Sequence, residues 1–309
     1  LYRRDFTINA LAVRLTNPYQ GELLDFFGGM KDLRLKLIRV LHSNSFIEDP
    51  TRIYRGVRFA VRLNFTIEAQ TREYINYAIN SGVYERVALE QNSIPALTTR
   101  LKAELNYILQ EDYWKSALKL LEEISALRCL HPNCQMTPHL WWQIRCLDRW
   151  LRYYNLGGNN EQITSWLVRL EIILASFDEG VTVAKNLGLP KESINRLTSL
   201  PLAYEKIIKS LPQCETVSQK VKLLSAYTPV TLMLIAVKSD KRVRQVIWRY
   251  LMGWSKIKSP LNGKDLQRLG YKPSKLYQEM LERVQALFLD GKILTKEEAE
   301  NFVVNHYPP

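Results

Sequence analysis

Apolar positions recur at helical spacing from Phe46 to the end of the chain. In "TRIYRGVRFAVRL", Ile53, Val57, Ala60 and Val61 share one face at i, i+4, i+7 and i+8. Asp49 followed by Pro50 reads as an N-cap and a proline at the first helical position. Thr66 is expected to cap the next helix, "IEAQTREYINYAIN", and Gly82 to close it. The same periodicity predicts helices over 97–108, 114–127, 140–154, 164–177, 191–210, 217–226 and 240–252, with a linker or tight turn at 157–160. The first 41 residues are mixed. "NALAVRL" suits a strand or a helix end, "GELLDFFGGMKDL" a turn-rich connection, and "KLIRVL" a short β-like run. No fixed-period repeat or low-complexity tract interrupts the pattern. The fold class is therefore mainly α, with a short mixed α/β piece leading into a long multi-helix body.

Charge narrows the function. The 309 residues carry 43 Lys and Arg against 31 Asp and Glu, a net +12. That excess favours a polyanionic partner, nucleic acid first and a membrane surface second, over a basic protein with neither. The most apolar run, 230–237, is too short to span a bilayer, and a charged start at Leu1 is not a secretory signal. Four scattered cysteines do not make a disulfide framework and suit a reducing, cytoplasmic setting. Cys129, His131, Cys134 and His139 offer four donors within eleven residues, but their spacing matches no common zinc finger. With Pro132 and Pro138 shaping the segment, a structural loop is the better reading than zinc.

The densest chemistry lies in "EDPTRIYRGVRFAVR". Asp49 and Arg52 are three apart, and Arg55, Arg58 and Arg62 continue at spacings of three, three and four. On one helix this is a basic stripe headed by an acid. Arginine forks suit phosphate oxygens, and an Asp–Arg pair can offer an acceptor and donors to a nucleobase edge. A solvated helix face laced by weak ion pairs explains the spacing as well. "RRDFTINA" alone is weak, and Gly28-Gly29 reads as a turn without the strand-to-helix context of a phosphate loop. Trp141, Trp142, Arg145, Arg149 and Arg152 fit either a stacking and phosphate surface or buried aromatics with an arginine rim.

Taken in order, these blocks carry a resemblance. Arg3-Arg4-Asp5-Phe6-Thr7-x-Asn9-Ala10 is followed by Asp25-x-x-Gly28-Gly29-x-x-Asp32-Leu33 and Ile38-Arg39. Then comes Phe46-x-Glu48-Asp49-Pro50-x-Arg52-x-x-Arg55-x-x-Arg58-Phe59, and later "TTRLKAELNYIL". The series resembles the bacterial-type (class II) tRNA nucleotidyltransferase and poly(A) polymerase family, and it covers essentially the whole chain, most specifically residues 1–110. The resemblance implies a head remnant over 1–45, a helical neck over 46–110 and an RNA-binding helical body and tail over 111–309. It implies that Arg4 and Asp5 line the nucleotide pocket and read the ribose. It places Asp49 and Arg52 at the base edge of CTP or ATP, and Arg55 and Arg58 on the nucleotide through its triphosphate. It makes Gly28-Gly29 a flexible head-to-neck connection and the tRNA 3′ acceptor end the partner of the body.

The family also uses two Mg2+ ions held by a Gly-Gly-x-x-Arg-Asp segment and an Asp-x-Asp, both ahead of the Arg-Arg-Asp block. No Asp-x-Asp occurs in this chain. Glu111-Asp112 and Asp178-Glu179 are adjacent pairs whose side chains diverge, so neither clamps an ion. The expectation is a C-terminal portion of a template-independent RNA nucleotidyltransferase, inactive alone, whose Mg2+-binding residues lie upstream in cis or in trans. The alternatives are a headless, non-catalytic RNA-binding relative and the second chain of a split enzyme.

Overall fold

The computed structural model describes residues 1–82, 95–157, 162–273 and 275–307. The N-terminal piece contains β1 (Leu11–Val13), β2 (Leu23–Asp25), α1 (Gly29–Leu35) and β3 (Leu37–Ile38). After it come α2 (Ser45–Glu48), α3 (Thr51–Leu63), β4 (Thr66–Ile67), α4 (Ala69–Asn80), α5 (Pro95–Leu109), α6 (Trp114–Glu123) and α7 (Pro138–Leu156). The rest is helical: α8 (Ser165–Leu174), α9 (Gly180–Asn186), α10 (Lys191–Ser210), α11 (Val217–Leu224), α12 (Pro229–Lys238), α13 (Lys241–Met252), α14 (Gly263–Arg268), α15 (Lys275–Leu289) and α16 (Lys296–His306). The architecture is the mainly α one that the periodicity predicts. Two compact units contain it, residues 1–144 with 164–198, and residues 145–163 with 199–309. Of the turn expected at 157–160, residues 158–160 lie outside the described residues.

In the first unit, β1 and β2 pair antiparallel with Ala12 opposite Leu24, and β3 pairs parallel with β4, Ile38 opposite Ile67. Gly28-Gly29 is not the slack connection expected but a strand–turn–helix corner between β2 and α1. Its amides do not await a phosphate, because Asp25 occupies them. Its carboxylate accepts from Gly29 N–H at 2.8 Å and Met30 N–H at 2.9 Å. The Met30 amide does most to hold the Asp25 carboxyl below its usual value; burial opposes it, and the Gly29 and Phe27 amides add to it. Gly29 also packs so closely that a Cβ there would lie 2.4 Å from the Thr7 carbonyl oxygen. Buried Asp32 accepts the Thr7 hydroxyl at 2.7 Å and pairs with Arg39, which reaches Glu68 at 3.2 Å. These contacts fix the short turn over Thr7–Asn9 just after Asp5.

Helix α3 is the centre of the unit, with Ile53, Tyr54 and Val57 fully buried. Gly56 costs the helix about 1 kcal/mol in propensity, yet a Cβ there would meet Phe6 Cζ at 3.0 Å. The missing side chain lets the Phe6 ring lie on the helix, edge-on to Phe59 at 6.0 Å. Tyr54 donates to the Ala126 carbonyl at 2.9 Å, tying α3 to the turn after α6.

Two local expectations need correction. Pro50 is not the first residue of the helix: α2 ends at Glu48, Asp49 is extended at φ −148° and ψ 95°, and α3 starts at Thr51. Asp49 is still a cap, its Oδ1 accepting Thr51 N–H at 3.0 Å. The cap of α4 is Glu68, which accepts Thr71 N–H at 2.8 Å, not Thr66. Thr66 is drawn into β4, its N–H donating to the Lys36 carbonyl. Gly82 follows the end of α4 at φ +70°, as a C-terminal glycine should.

In the second unit α12 is the core helix, with Leu232 to Val237 fully buried, so the most apolar run of the sequence packs inside protein. No single described helix is long and apolar enough to cross a membrane. Leu266, Met280, Val284, Ala299 and Val303 form a separate cluster uniting α14, α15 and α16.

Replacing Gly29 by Ala is expected to destabilise the chain by about 2 kcal/mol, because the new methyl meets backbone that cannot yield. A lowered denaturant midpoint with unchanged slope would record it, and an unchanged midpoint would mean that this corner gives way.

Candidate functional site

Five of the six residues singled out above share one cavity of about 270 Å3 in the first unit. Its floor is the N-terminal turn, with Arg3, Arg4 and Asp5. One wall is Asp49, Thr51, Arg52 and Arg55 from the start of α3, and the other is Arg100, Ala103 and Glu104 from α5. Five arginines and three carboxylates therefore meet in one concavity, and the wiring between them determines what each can do.

Asp5 is buried, and its oxygens are divided. Oδ1 accepts Phe6 N–H and the Asn9 amide, both at 3.0 Å, and Oδ2 accepts Arg55 Nε at 2.6 Å. Burial pushes its carboxyl upward, but the Asn9 amide and the Arg55 guanidinium outweigh that and hold it below the ordinary value. Arg55, in turn, is lowered by burial and raised by Asp5 and Glu104, with a net rise. Arg4 donates from Nε to the Asn9 carbonyl at 3.0 Å. Neither Arg3 nor Arg4 has a carboxylate partner among the described residues, so their charge is left for an anion.

Asp49 and Arg52 do not pair with each other. Asp49 Oδ2 accepts Arg100 Nη1 at 2.7 Å, while Arg52 Nη1 donates to Ser45 Oγ at 2.6 Å and lies 3.7 Å from Glu48. Arg58 is the sixth expected residue, and it does not line the cavity. Its Nε donates to Glu104 Oε2 at 2.7 Å, and its guanidinium sits 4.7 Å over Phe59 and 5.3 Å over Tyr107. It keeps the same side of the helix but, seven residues beyond Thr51, lies about 10 Å farther along the axis, past the cavity.

Glu104 is the residue that sequence reasoning missed. It is 5% exposed and accepts from Arg58 at 2.7 Å and from Arg55 at 3.4 Å. Its signal was present as Arg100 and Glu104 in "TTRLKAELNYIL", an opposite-charge pair four apart on an amphipathic helix.

The cavity carboxylates do not fit a two-metal clamp, because Asp5, Asp49 and Glu104 are each bonded to a guanidinium. Elsewhere, the four donors around the 129–139 segment have separate surroundings. His131 stacks on Phe177 at 5.3 Å, His139 meets Gln143 at 3.0 Å, and burial pushes the Cys129 and Cys134 thiols up to about 12. Trp141 donates to Glu122 at 3.0 Å and Trp142 stacks on His139, while in the second unit Arg145, Arg149 and Arg152 lie exposed, Arg152 pairing with Asp148 at 3.0 Å, and Trp150 meets Trp248 at 4.8 Å.

Changing Glu104 to Ala is expected to cost about 3–5 kcal/mol, because Arg55 and Arg58 lose the anion that makes their burial tolerable. Thermal unfolding would show it; a loss under 1 kcal/mol would mean that water replaces the carboxylate.

The chain is similar to proteins already known. Residues 1–39 match the Poly A polymerase head domain. The A-adding tRNA nucleotidyltransferase of Geobacter sulfurreducens is 29% identical over 98% of this chain, which spans only 34% of that relative's length. The Thermotoga maritima CCA-adding enzyme complexed with tRNA_CCA superposes with a TM-score of 0.76 at 28% identity, over 98% of this chain and 72% of that one. A CCA-adding enzyme with CTP superposes with a TM-score of 0.76 at 28% identity, over 100% of this chain and 72% of that one. The mainly helical fold is thus that of the CCA-adding enzymes, and the homologues of this chain, along nearly its whole length, are CCA- and A-adding tRNA nucleotidyltransferases.

Proposed function

We propose that this chain is the nucleotide-reading and RNA-holding part of a template-independent RNA nucleotidyltransferase that builds or repairs tRNA 3′ ends in the cytoplasm. The observation that carries the proposal is the single cavity uniting Arg4, Asp5, Asp49, Arg52 and Arg55. Cytosine and adenine both present an amino donor beside a ring-nitrogen acceptor. Asp49 accepts from the first and Arg52 donates to the second, while Arg3 and Arg4 face the negative end of the nucleotide. Asp5 sits at the ribose and is kept ionised by Arg55. Arg58 and Glu104 hold the wall together and touch no ligand.

The Mg2+-binding carboxylates of the complete enzyme are proposed to lie upstream, in a head whose last part is residues 1–45. Two observations support this. Each carboxylate of the cavity is neutralised by arginine. The β1–β2 hairpin also exposes Val13 and Leu23, opposite each other in the register, with Leu15, Tyr19 and Phe26 exposed in the flanking chain, between 47% and 80% of each, apolar surface suited to further strands. Residues 46–110 act as the neck and 111–309 as the RNA-binding body and tail. In the second unit, exposed Arg145, Arg149 and Arg152 on α7, with half-exposed Tyr153, suit phosphates and stacked bases.

Two experiments test the reading. Arg52→Ala in the complete enzyme is expected to erode the preference for CTP and ATP over UTP and GTP about tenfold, with little change in tRNA affinity. Equal losses for all four nucleotides would mean that Arg52 does not face the base. The 309-residue chain alone is expected to bind tRNA with a steep salt dependence and to add no nucleotide in the presence of Mg2+. Measurable addition by this chain would overturn the upstream placement of the metal site, and tight RNA binding without addition by any longer form would favour a non-catalytic relative.

A further inference from the structure

Asp49 and Arg52 are three residues apart, opposite in charge, and line the same cavity, yet each is held by something else. The reason lies on α5. Arg100 Nη1 donates to Asp49 Oδ2 at 2.7 Å, while the Thr51 hydroxyl and N–H donate to Oδ1 at 2.5 Å and 3.0 Å. One turn along α5, Glu104 takes Arg55 and Arg58. The two residues of α5 thus mirror the acid-then-base order at the start of α3 with the opposite signs. Arg52, left without Asp49, rests on the buried Ser45 hydroxyl.

We propose that Arg100 is a specificity-determining positioning residue, which holds Asp49 apart from Arg52 so that the acceptor and the donor of the cavity stay open to one base edge between them. This rests on the reading of the cavity as a base-reading site. Without the Arg100 fork, Asp49 would be free to pair with Arg52, three residues along and lining the same cavity, and their closure on each other would consume both groups that distinguish an amino edge from a carbonyl edge. With Arg100 in place, Asp49 Oδ1 is filled by the two Thr51 donors, and Oδ2 is anchored through one lone pair and keeps the other for an incoming amino group. Uracil and guanine, which present a carbonyl where cytosine and adenine present the amino group, leave that oxygen unsatisfied and are rejected. The Arg100 side chain is 58% exposed, so it can be changed without opening the core.

The test uses the 309-residue chain and calorimetric titration with CTP, UTP, ATP, GTP and inorganic tripolyphosphate. Wild type is expected to prefer CTP to UTP and ATP to GTP. Arg100→Met is expected to reduce both preferences about tenfold through weaker CTP and ATP binding, with tripolyphosphate affinity unchanged and partial recovery in Arg100→Lys. Adding Arg52→Ala to Arg100→Met is expected to cost less than the two losses combined, since the first change has already disabled the second residue. Arg100→Gln reads the same ratios should the Met variant not fold. Unchanged preferences in a folded variant, or an equal loss for tripolyphosphate and all four nucleotides, would overturn the proposal and make Arg100 a structural or phosphate contact. A wild-type chain that binds tripolyphosphate but does not discriminate between bases would instead overturn the base-reading site, and the role of Arg100 with it.

Discussion

A carboxylate buried between two arginines sets the geometry of the first unit. Arg55 and Arg58 lie on adjoining turns of α3, both partly withdrawn from water, and two like charges there would oppose folding. Glu104 answers them from α5, and because it is almost wholly buried it has no alternative partner in solvent. An ion pair of this kind adds little net stability compared with an apolar packing, but it tolerates no slip. A one-residue shift of α5 would carry Glu104 about 100° around its helix, leaving Glu104 and Arg58 stranded and Arg55 with Asp5 alone. The register of α5 on α3 is therefore pinned, and the place of Arg100 over Asp49, one turn earlier, follows from it.

The N-terminal corner works in the same way. Asp25, Asp32 and Arg39 look like chemical residues, and each is occupied in holding the chain. Asp25 shows the physics most plainly. A glycine turn after a strand and before a helix is where phosphate often binds, and here an internal carboxylate takes the same amides. With that corner closed, the turn over Thr7–Asn9 is rigid enough to present Asp5 to Arg55 across a buried phenylalanine.

How much of this was legible from the sequence depended on the range of the interaction. Helical periodicity marked most helices, and even the limits of α10 are those the pattern predicts, because an amphipathic repeat depends on the chain's own spacing. The cap of α4 was misplaced because Thr66 and Glu68 compete, and β3, which lies some thirty residues away in sequence, decides the contest. The break at Asp49 was legible in part, since the residue before a proline is pushed toward an extended conformation, but the Arg100 contact that joins the Thr51 donors in holding it lies some fifty residues away. Five of the six residues singled out by block spacing line one cavity, whereas Arg58 turns to Glu104, a difference that a stripe in one dimension does not show. Nothing local says that a glutamate forty-six residues later claims its fork.

The mixture of signs in the cavity separates recognition from simple adhesion. A pocket of arginines alone would bind any polyphosphate, and binding energy of that kind does not discriminate. Here the carboxylates draw Arg55 and Arg100 into fixed pairs, and the charge that remains unmatched sits on Arg3 and Arg4 at the floor. The anion-facing part of the cavity is thereby confined to one side. On the other side the donors and acceptors are tethered, so in the proposed reading a base that did not match them would leave polar groups unpaired in a partly desolvated wall. Discrimination of that kind depends on side chains that cannot swing to suit the wrong partner, which is what the opposed pairs on α3 and α5 enforce.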